Sequence, residues 1–454
     1  MRRELMSFRT LALLFASALL PLCVSCAGDS GSVAPGVLVI SADDLGTQLG
    51  SYGDLTVPTP NIDAIAARGA RFTRAYVTQP SCSSSRAAFL TGLYPHQTGQ
   101  LGLAHMGFAM TQDWPVMPRL LNEELGYFTA LAGKLHVAPS AAFGFFDELV
   151  AESAPPWTRD IDIVGKTVAR LFQQAAGSAF YIQVDLGDPH PPFERQYGGL
   201  PAAPIDADQI KLFSWSPVAG VQGAQEIADY YNSVSRLDSI VGRIVEELRK
   251  AGRLENTLIV FWSDNGPAFP RAKTTLYEAG TRVPLIIAGP GVKAGQVRDE
   301  LVSTVDIMPT VIQLAGASMP ESSEHYAGRD LGPLLRAEPN DWREYLFTEE
   351  NFHTPRMWAP ARAVTNGRWK LIHQLPVGDT PAQIQLFDLA NDPDERHNLA
   401  QRPEHKALRE AMLEELKQWR VRSADPLLDE AVLRQLGQIP LQPQQAVAPW
   451  YTPR

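Results

Sequence analysis

Five short, largely apolar runs, four of them breaking into polar residues, limit this fold more than any other feature. Val37-Leu38-Val39-Ile40 leads to Ser41-Ala42-Asp43-Asp44, and Tyr127 to Ala132 leads to Gly133-Lys134-Leu135-His136. Phe180 to Val184 leads to Asp188-Pro189-His190, and Leu258 to Trp262 leads to Ser263-Asp264-Asn265-Gly266. Pro284 to Ala288 is a fifth run. Strands that are apolar on both faces suit a parallel sheet covered on two sides. Helical periodicity lies between the runs. In Glu226 to Lys250, Ile227, Tyr230, Val234, Leu237, Val241, Ile244, Val245 and Leu248 recur at steps of three and four, and Gly252 offers a stop. Strands alternating with helices predict an α/β fold, a central mostly parallel sheet flanked by helices. In such sheets ligands bind beyond the carboxyl ends of the strands. Asp43, Asp44, Lys134, His136, His190, Asp264 and Asn265 all fall there, which predicts one convergent site.

Near Asp341 the pattern changes. "ARAVTNGRWKLIHQL" and "IQLFDLANDPDERHNL" alternate and carry turn residues, as antiparallel strands do. A helix is expected from about Glu404 to Val421, and the Pro- and Gln-rich tail after Asp425 is expected to wrap the surface or be loosely ordered. The expected plan is a signal over 1–26, a linker over 27–35, a catalytic domain over 36–340, and a smaller C-terminal α+β domain over 341–454 with an antiparallel sheet.

Lys plus Arg number 40 and Asp plus Glu 50, so the formal charge is −10. Such a balance argues against a nucleic-acid partner, and an anionic substrate must be drawn by a local cluster of cations. Arg2, Arg3 and Arg9 flank an apolar run from Leu11 to Leu22, too short for the roughly 20 residues a bilayer needs. It ends in "PLCVSC", similar to a bacterial lipobox with lipid attached at Cys26; plain cleavage nearby is the other outcome. The chain is therefore expected to be exported, to the periplasm or as an outer-membrane or cell-surface lipoprotein, with a lipid at Cys26 as its one membrane attachment. Of three cysteines, only Cys82 then lies in the folded body, so no internal disulfide framework is expected.

Cys82 opens a predicted helix, Ser83 to Leu90. A helix N-terminus favours anions and lowers a thiol pKa, and Arg86 lies one turn on along the same face. Cys82 is either a buried bystander or a reactive group. Asp43, Asp44, Asp264 and Asn265 offer oxygen alone, which suits calcium or magnesium. Asp43 as a helix cap and Asp264-Asn265-Gly266 as an ordinary turn is the alternative.

"CSSSRAAFLTG" resembles the type I sulfatase signature Cys-x-Pro-Ser-Arg followed by a Thr-Gly turn, with Ser84 in place of the proline. The likeness extends through "VLVISADDLG", "PNIDAIAARG", "GKLH", "DPH", "SDNG", "TLYEAGTRVPLII", "DIMPTV" and "LFDLANDPDERHNLA". It implies an alkaline-phosphatase-like sulfatase fold and conversion of Cys82 to formylglycine by a maturation enzyme. It implies calcium, rather than magnesium, held by Asp43, Asp44, Asp264, Asn265 and residue 82. By the same resemblance Arg86 and Lys134 steady the formylglycine hydrate and the developing charge, and His136 helps deprotonate its second hydroxyl. His190 and Lys273 hold sulfate and leaving group, with His190 as general acid; the family often has arginine at the position of Lys273. "SDNGPAFPRAKTTLYEAGTRVPLII", "HQTGQLGLAH" and "GKLHVAP" are most similar to the sulfamidases, the heparan N-sulfatases. That subgroup implies hydrolysis of a glucosamine N-sulfate in a sulfated glycan or small sulfated sugar, with His105 and His353 at the sugar. An O-sulfatase or arylsulfatase, a phosphoester or phosphonate hydrolase of the same superfamily, and a non-catalytic lipoprotein that binds sulfated polysaccharide stay open. The oligomeric state is open too, a homodimer included.

Overall fold

The computed structural model describes residues 34–437 apart from 146, 152–156, 321–325, 355–357 and 378. The predicted signal with Cys23 and Cys26, linker residues 27–33 and the tail from 438 lie outside the described residues. The apolar runs become strands β1 (Gly36–Ala42), β3 (Phe128–Gly133), β5 (Phe180–Asp185), β6 (Thr257–Ser263) and β7 (Arg282–Ala288). β2 (Gly69–Tyr76), β4 (Glu148–Ala151), β8 (Gln296–Arg298) and β9 (Val302–Ser303) complete the sheet. The order is β4-β3-β5-β1-β6-β7-β2-β8, with β9 also on β2.

β1 is central and parallel to both neighbours, Ile40 pairing with Val184 of β5 and Phe261 of β6. Period-2 alternation divides its side chains between two cores. Leu38, Ile40 and Ala42 pack with Val164, Val168 and Leu171 of helix Ile161–Gln174 and with Ile227, Val234 and Leu237 of helix Gly220–Lys250. Val37 and Val39 pack with Ala87, Phe89 and Leu90 of helix Cys82–Thr91 and with Ile307, Val311 and Ile312 of helix Ile307–Ala315. The result is a sheet between two helical layers. Each buried Val, Leu, Ile or Phe among these contributes about 1.5–3 kcal/mol. A core of this size can carry a cluster of buried charges at one end.

One run departs from the expected direction. β7 is antiparallel to both β6 and β2. A parallel return needs a crossover of a dozen or more residues, usually a helix. The 264–281 connection instead stays at the carboxyl end of β6, with only the short helix Glu278–Thr281 within it. β7 therefore enters from the end at which β6 leaves. The long helix begins at Gly220 rather than Glu226, and it ends at Lys250, before Gly252 at φ 69°.

A second sheet runs β10 (Leu346–Phe352), β11 (Trp358–Thr365), β12 (Trp369–Gln374) and β13 (Gln383–Asp388), every pair antiparallel. β11 turns into β12 through Gly367-Arg368, with the Asn366 amide on the Trp369 carbonyl at 3.1 Å and Gly367 at φ 86°. Helix Lys406–Arg422 packs Met412, Leu416 and Trp419 on Val364, Leu371 and Leu386. Within the tail after Asp425, helix Glu430–Gly437 forms. The first strand of this sheet lies against the segment before Cys82: the Glu349 amide donates to the Thr78 carbonyl at 2.7 Å. Among the described residues no helix is long and apolar enough to cross a membrane.

Candidate active site

The carboxyl ends of β1, β3, β5 and β6 and the start of helix Cys82–Thr91 meet at one place. Every residue of that helix is buried, and Gly92 ends it at φ 69°. Ser81, its N-cap, makes no side-chain capping bond, because its Oγ lies 2.9 Å from His353 Nδ1 instead. Cys82 is a free thiol and 1% exposed. Its Sγ lies 3.7 Å from Asp43 Oδ1 and 3.9 Å from Asp44 Oδ1. Asp43, Asp44, Cys82 and Asp264 each offer one ligand atom, all within 4.8 Å of one another.

Cations surround this group. Lys134 Nζ reaches Asp43 Oδ2 at 2.5 Å, and Lys273 Nζ reaches Asp44 Oδ1 and Oδ2 at 2.6 and 2.9 Å. Arg86 donates from Nε to Asp264 Oδ2 at 2.9 Å and from Nη1 to the Lys134 carbonyl at 3.0 Å. Its Nη1 also lies 3.0 Å from Asp185 Oδ2. Asn265 Nδ2 donates to Asp44 Oδ1 at 2.7 Å, and the Asp44 amide donates to Asp264 Oδ1 at 3.1 Å. Asp43 therefore caps no helix, and Asp264-Asn265 is more than a turn.

These charges set the protonation states. Burial would raise the Asp43 carboxyl, but Lys134, His190, Arg86 and Lys273 outweigh it and hold it well below the usual range. Burial and the neighbouring Asp43 push Asp264 up to about 6, against Arg86 and Lys134. The Cys82 thiol departs from expectation. Burial pushes it up to about 12, with Asp264 and Asp43 adding to the shift against the pull of Lys134 and Lys273. Desolvation and carboxylates outweigh the helix terminus, so the thiol keeps its proton.

Three imidazoles border the cluster. His190 places Nε2 3.8 Å from Asp44 Oδ2 and Nδ1 2.6 Å from the Pro191 carbonyl. A carbonyl only accepts, so Nδ1 bears the proton of this contact. His136 sits at φ 50°, with Nε2 2.7 Å from His105 Nδ1, and its own Nδ1 is buried without a partner. Burial and then Lys134 push His136 down to about 2, which keeps it neutral. His353, beside Ser81, is pushed down to about 4 by burial and Lys273. Asp44, His136, Arg271 and Thr274, four of the non-glycine residues at positive φ, lie in the segments that build the site. Strained backbone gathers where packing can enforce it.

Asp185 and Ser41, which orient Arg86, were not legible as site residues. The available signal was a carboxylate closing the apolar run Phe180 to Val184. The donor set fits a hard divalent cation. Three carboxylates converge, and Asn265 Oδ1 is buried with no hydrogen-bond partner.

The sulfatase family model matches residues 35–317, and the model for the C-terminal domain of N-sulphoglucosamine sulphohydrolase matches 271–422. The chain is 29% identical over 459 aligned residues to N-sulphoglucosamine sulphohydrolase of Homo sapiens, covering 86% of this chain and 90% of that one. BT4656, solved in complex with its substrate D-glucosamine-2-N,6-O-disulfate, superposes with a TM-score of 0.72 at 21% identity over 86% of this chain and 98% of that one. Phosphonate monoester hydrolase of Agrobacterium radiobacter gives 0.70 at 22% identity over 86% and 96%. With a family model spanning most of the chain and its residues gathered into one buried cage, the protein belongs to the sulfatase family.

Proposed function

We propose that this sulfuric ester hydrolase acts on sulfated sugars, and that its bond is the N-sulfate of a glucosamine residue in heparan- or heparin-type glycans. The placement of Cys82 carries the mechanism: a buried side chain at a helix start, within 4 Å of two carboxylates that are themselves held by lysines. The choice of N-sulfate is supported by the match of 271–422 and by the human relative's name.

Asp43, Asp44, Asp264, Asn265 and residue 82 would hold calcium, with magnesium second, and the ion would supply a Lewis acid for the sulfate oxygens. Formylglycine, made from Cys82 by a maturation enzyme, would supply the hydrated aldehyde as the nucleophile toward sulfur. The other roles fall to this chain's own side chains. Arg86 and Lys134 hold the oxygens of residue 82 and the negative charge that develops there. His136, neutral and with Nδ1 unengaged, accepts a hydrogen bond from the second hydroxyl and so helps its proton leave. Lys273 steadies sulfate oxygens as a point charge, where an arginine would present two prongs. His190 keeps Nδ1–H on Pro191 and gives a proton from Nε2 to the departing amine. His105 and His353 flank the sugar.

Mass spectrometry of the tryptic peptide Ala75–Arg86 from protein made in its native host tests the nucleophile. An aldehyde at position 82 is expected, and an intact thiol would instead favour a non-catalytic polysaccharide-binding protein. Side-by-side turnover of glucosamine N-sulfate, sugar O-sulfate, aryl sulfate and phosphonate tests the bond. The structural likeness to a phosphonate monoester hydrolase makes phosphonate the second reading, and a wide preference for it would displace the first. For the N-terminus we propose export with lipid on Cys26, tested by metabolic labelling with a fatty-acid analogue.

A further inference from the structure

His190 follows Asp188, whose side chain reaches back into the protein and is held there by two arginines. Asp188 is fully buried. Arg236, from the middle of helix Gly220–Lys250, grips it with both prongs, Nε to Oδ2 and Nη2 to Oδ1, each at 2.7 Å. Arg159 adds Nε to Oδ1 at 3.1 Å. Arg159 also donates to the carbonyls of His190 and of Pro192, the latter at 3.2 Å. The Asp188 carbonyl in turn accepts the Asp43 amide at 3.1 Å. Two guanidinium groups thus fix one carboxylate, and that carboxylate's residue is bonded on one side to a metal-ligand candidate and followed by the general acid. Neither arginine bonds to Asp43, Asp44, Cys82 or Asp264 through its side chain.

We propose that Arg236 and Arg159 are positioning residues, an arginine clamp on Asp188 that holds His190 where its Nε2 meets the leaving group. Planar two-prong contact fixes orientation as well as place, which a lysine cannot do. With a loose clamp, His190 keeps its chemistry and loses its aim, and a displacement of about 1 Å can cost on the order of 100-fold in rate. The inference rests on the assignment of His190 as general acid under the proposed function.

Leaving-group dependence separates positioning from a role in the fold alone. An aryl sulfate such as 4-nitrophenyl sulfate departs as a stable phenolate and needs little acid help, whereas a sugar sulfamate must have its amine protonated. Arg236→Lys is expected to lower kcat on glucosamine N-sulfate about 10- to 100-fold and on 4-nitrophenyl sulfate less than about 3-fold, the leaving-group dependence of a misaimed acid. KM should change little in both. Arg159→Gln, at the outer edge of the clamp, should show the same direction to a smaller degree, and it serves if Arg236→Lys fails to fold. Circular dichroism and thermal melting establish that each variant is folded. Equal losses on both substrates in a folded variant would overturn the proposal and make the clamp a fold anchor. Turnover of both sulfates by the unaltered enzyme tests the sulfatase reading separately. If that turnover holds while His190→Ala spares the sulfamate, the acid assignment fails and the clamp's role with it.

Discussion

At the residue scale, the site is a balance of buried charge. Asp264 shows how the balance depends on its partners, since it bonds Arg86 and the Asp44 amide and still sits near Asp43. With Asp264 as a ligand of the proposed calcium, Asp264→Ala should abolish calcium binding, measured by calorimetry, and lower turnover by at least about 100-fold. Unchanged turnover would mean that the metal lies elsewhere. A second buried acid gives a pH signature away from the site. Glu395 is pushed up to about 7 by burial, against Lys370 and with Glu278, from an ordinary 4.5. Its folded pKa is raised, so its stabilising effect is full below about 4.5 and is lost as pH rises to about 7, by on the order of 1–3 kcal/mol. Glu395→Gln should flatten urea-unfolding stability across that window; a slope equal to that of the unaltered protein would refute the assignment.

At the element scale, two devices seat the residues of the candidate site. Helix Cys82–Thr91 begins at the cage and ends at Gly92, so its buried face delivers Cys82 and Arg86 together. Helix Ile161–Gln174, which follows Arg159, is started by Asp160, whose side chain accepts from the Asp162 and Ile163 amides at 2.9 and 3.0 Å. Asp160→Ala should cost about 1 kcal/mol in urea unfolding and leave kcat on aryl sulfate unchanged. Strands β1, β5 and β6 were legible because each is an apolar run buried on both faces. The direction of β7 was not, because an apolar run reads the same whether its neighbour is parallel or antiparallel. Only the path of the 264–281 connection decides.

At the scale of the whole molecule, the second sheet supports the site in the first. Gln79 Nε2 donates to the Phe352 carbonyl at 2.8 Å, the Glu349 amide bonds Thr78, and His353 bonds Ser81, so β10 and the residue after it brace the approach to Cys82. That sheet is tied in turn to the chain just beyond helix Lys406–Arg422. Arg362 bonds Asp425 Oδ2 and Oδ1 at 2.9 Å each, with Arg420 Nε on Oδ2 at 2.7 Å, all inside the protein. Asp425→Ala leaves the Arg362 charge buried, with Glu349 at 3.8 Å as its remaining ion-pair partner beside the Glu350 and Ala361 carbonyls. The expected loss is about 3–5 kcal/mol, read as a lower urea midpoint, with activity lost at a lower temperature. A midpoint within error of the unaltered protein would show that the pair is dispensable.

The sequence by itself determined the layered α/β plan, the strand-end placement of Asp43, Lys134, His190 and Asp264, and the family. Those properties follow from local pattern: apolar runs, turn residues and short motifs act over a few neighbours. Tertiary structure alone decided that the Cys82 thiol is buried among carboxylates, that His105 bonds His136, and that Arg236 and Arg159 converge on Asp188. Such contacts join residues far apart in the chain, and burial, which no local spacing reports, sets the energy of each charge.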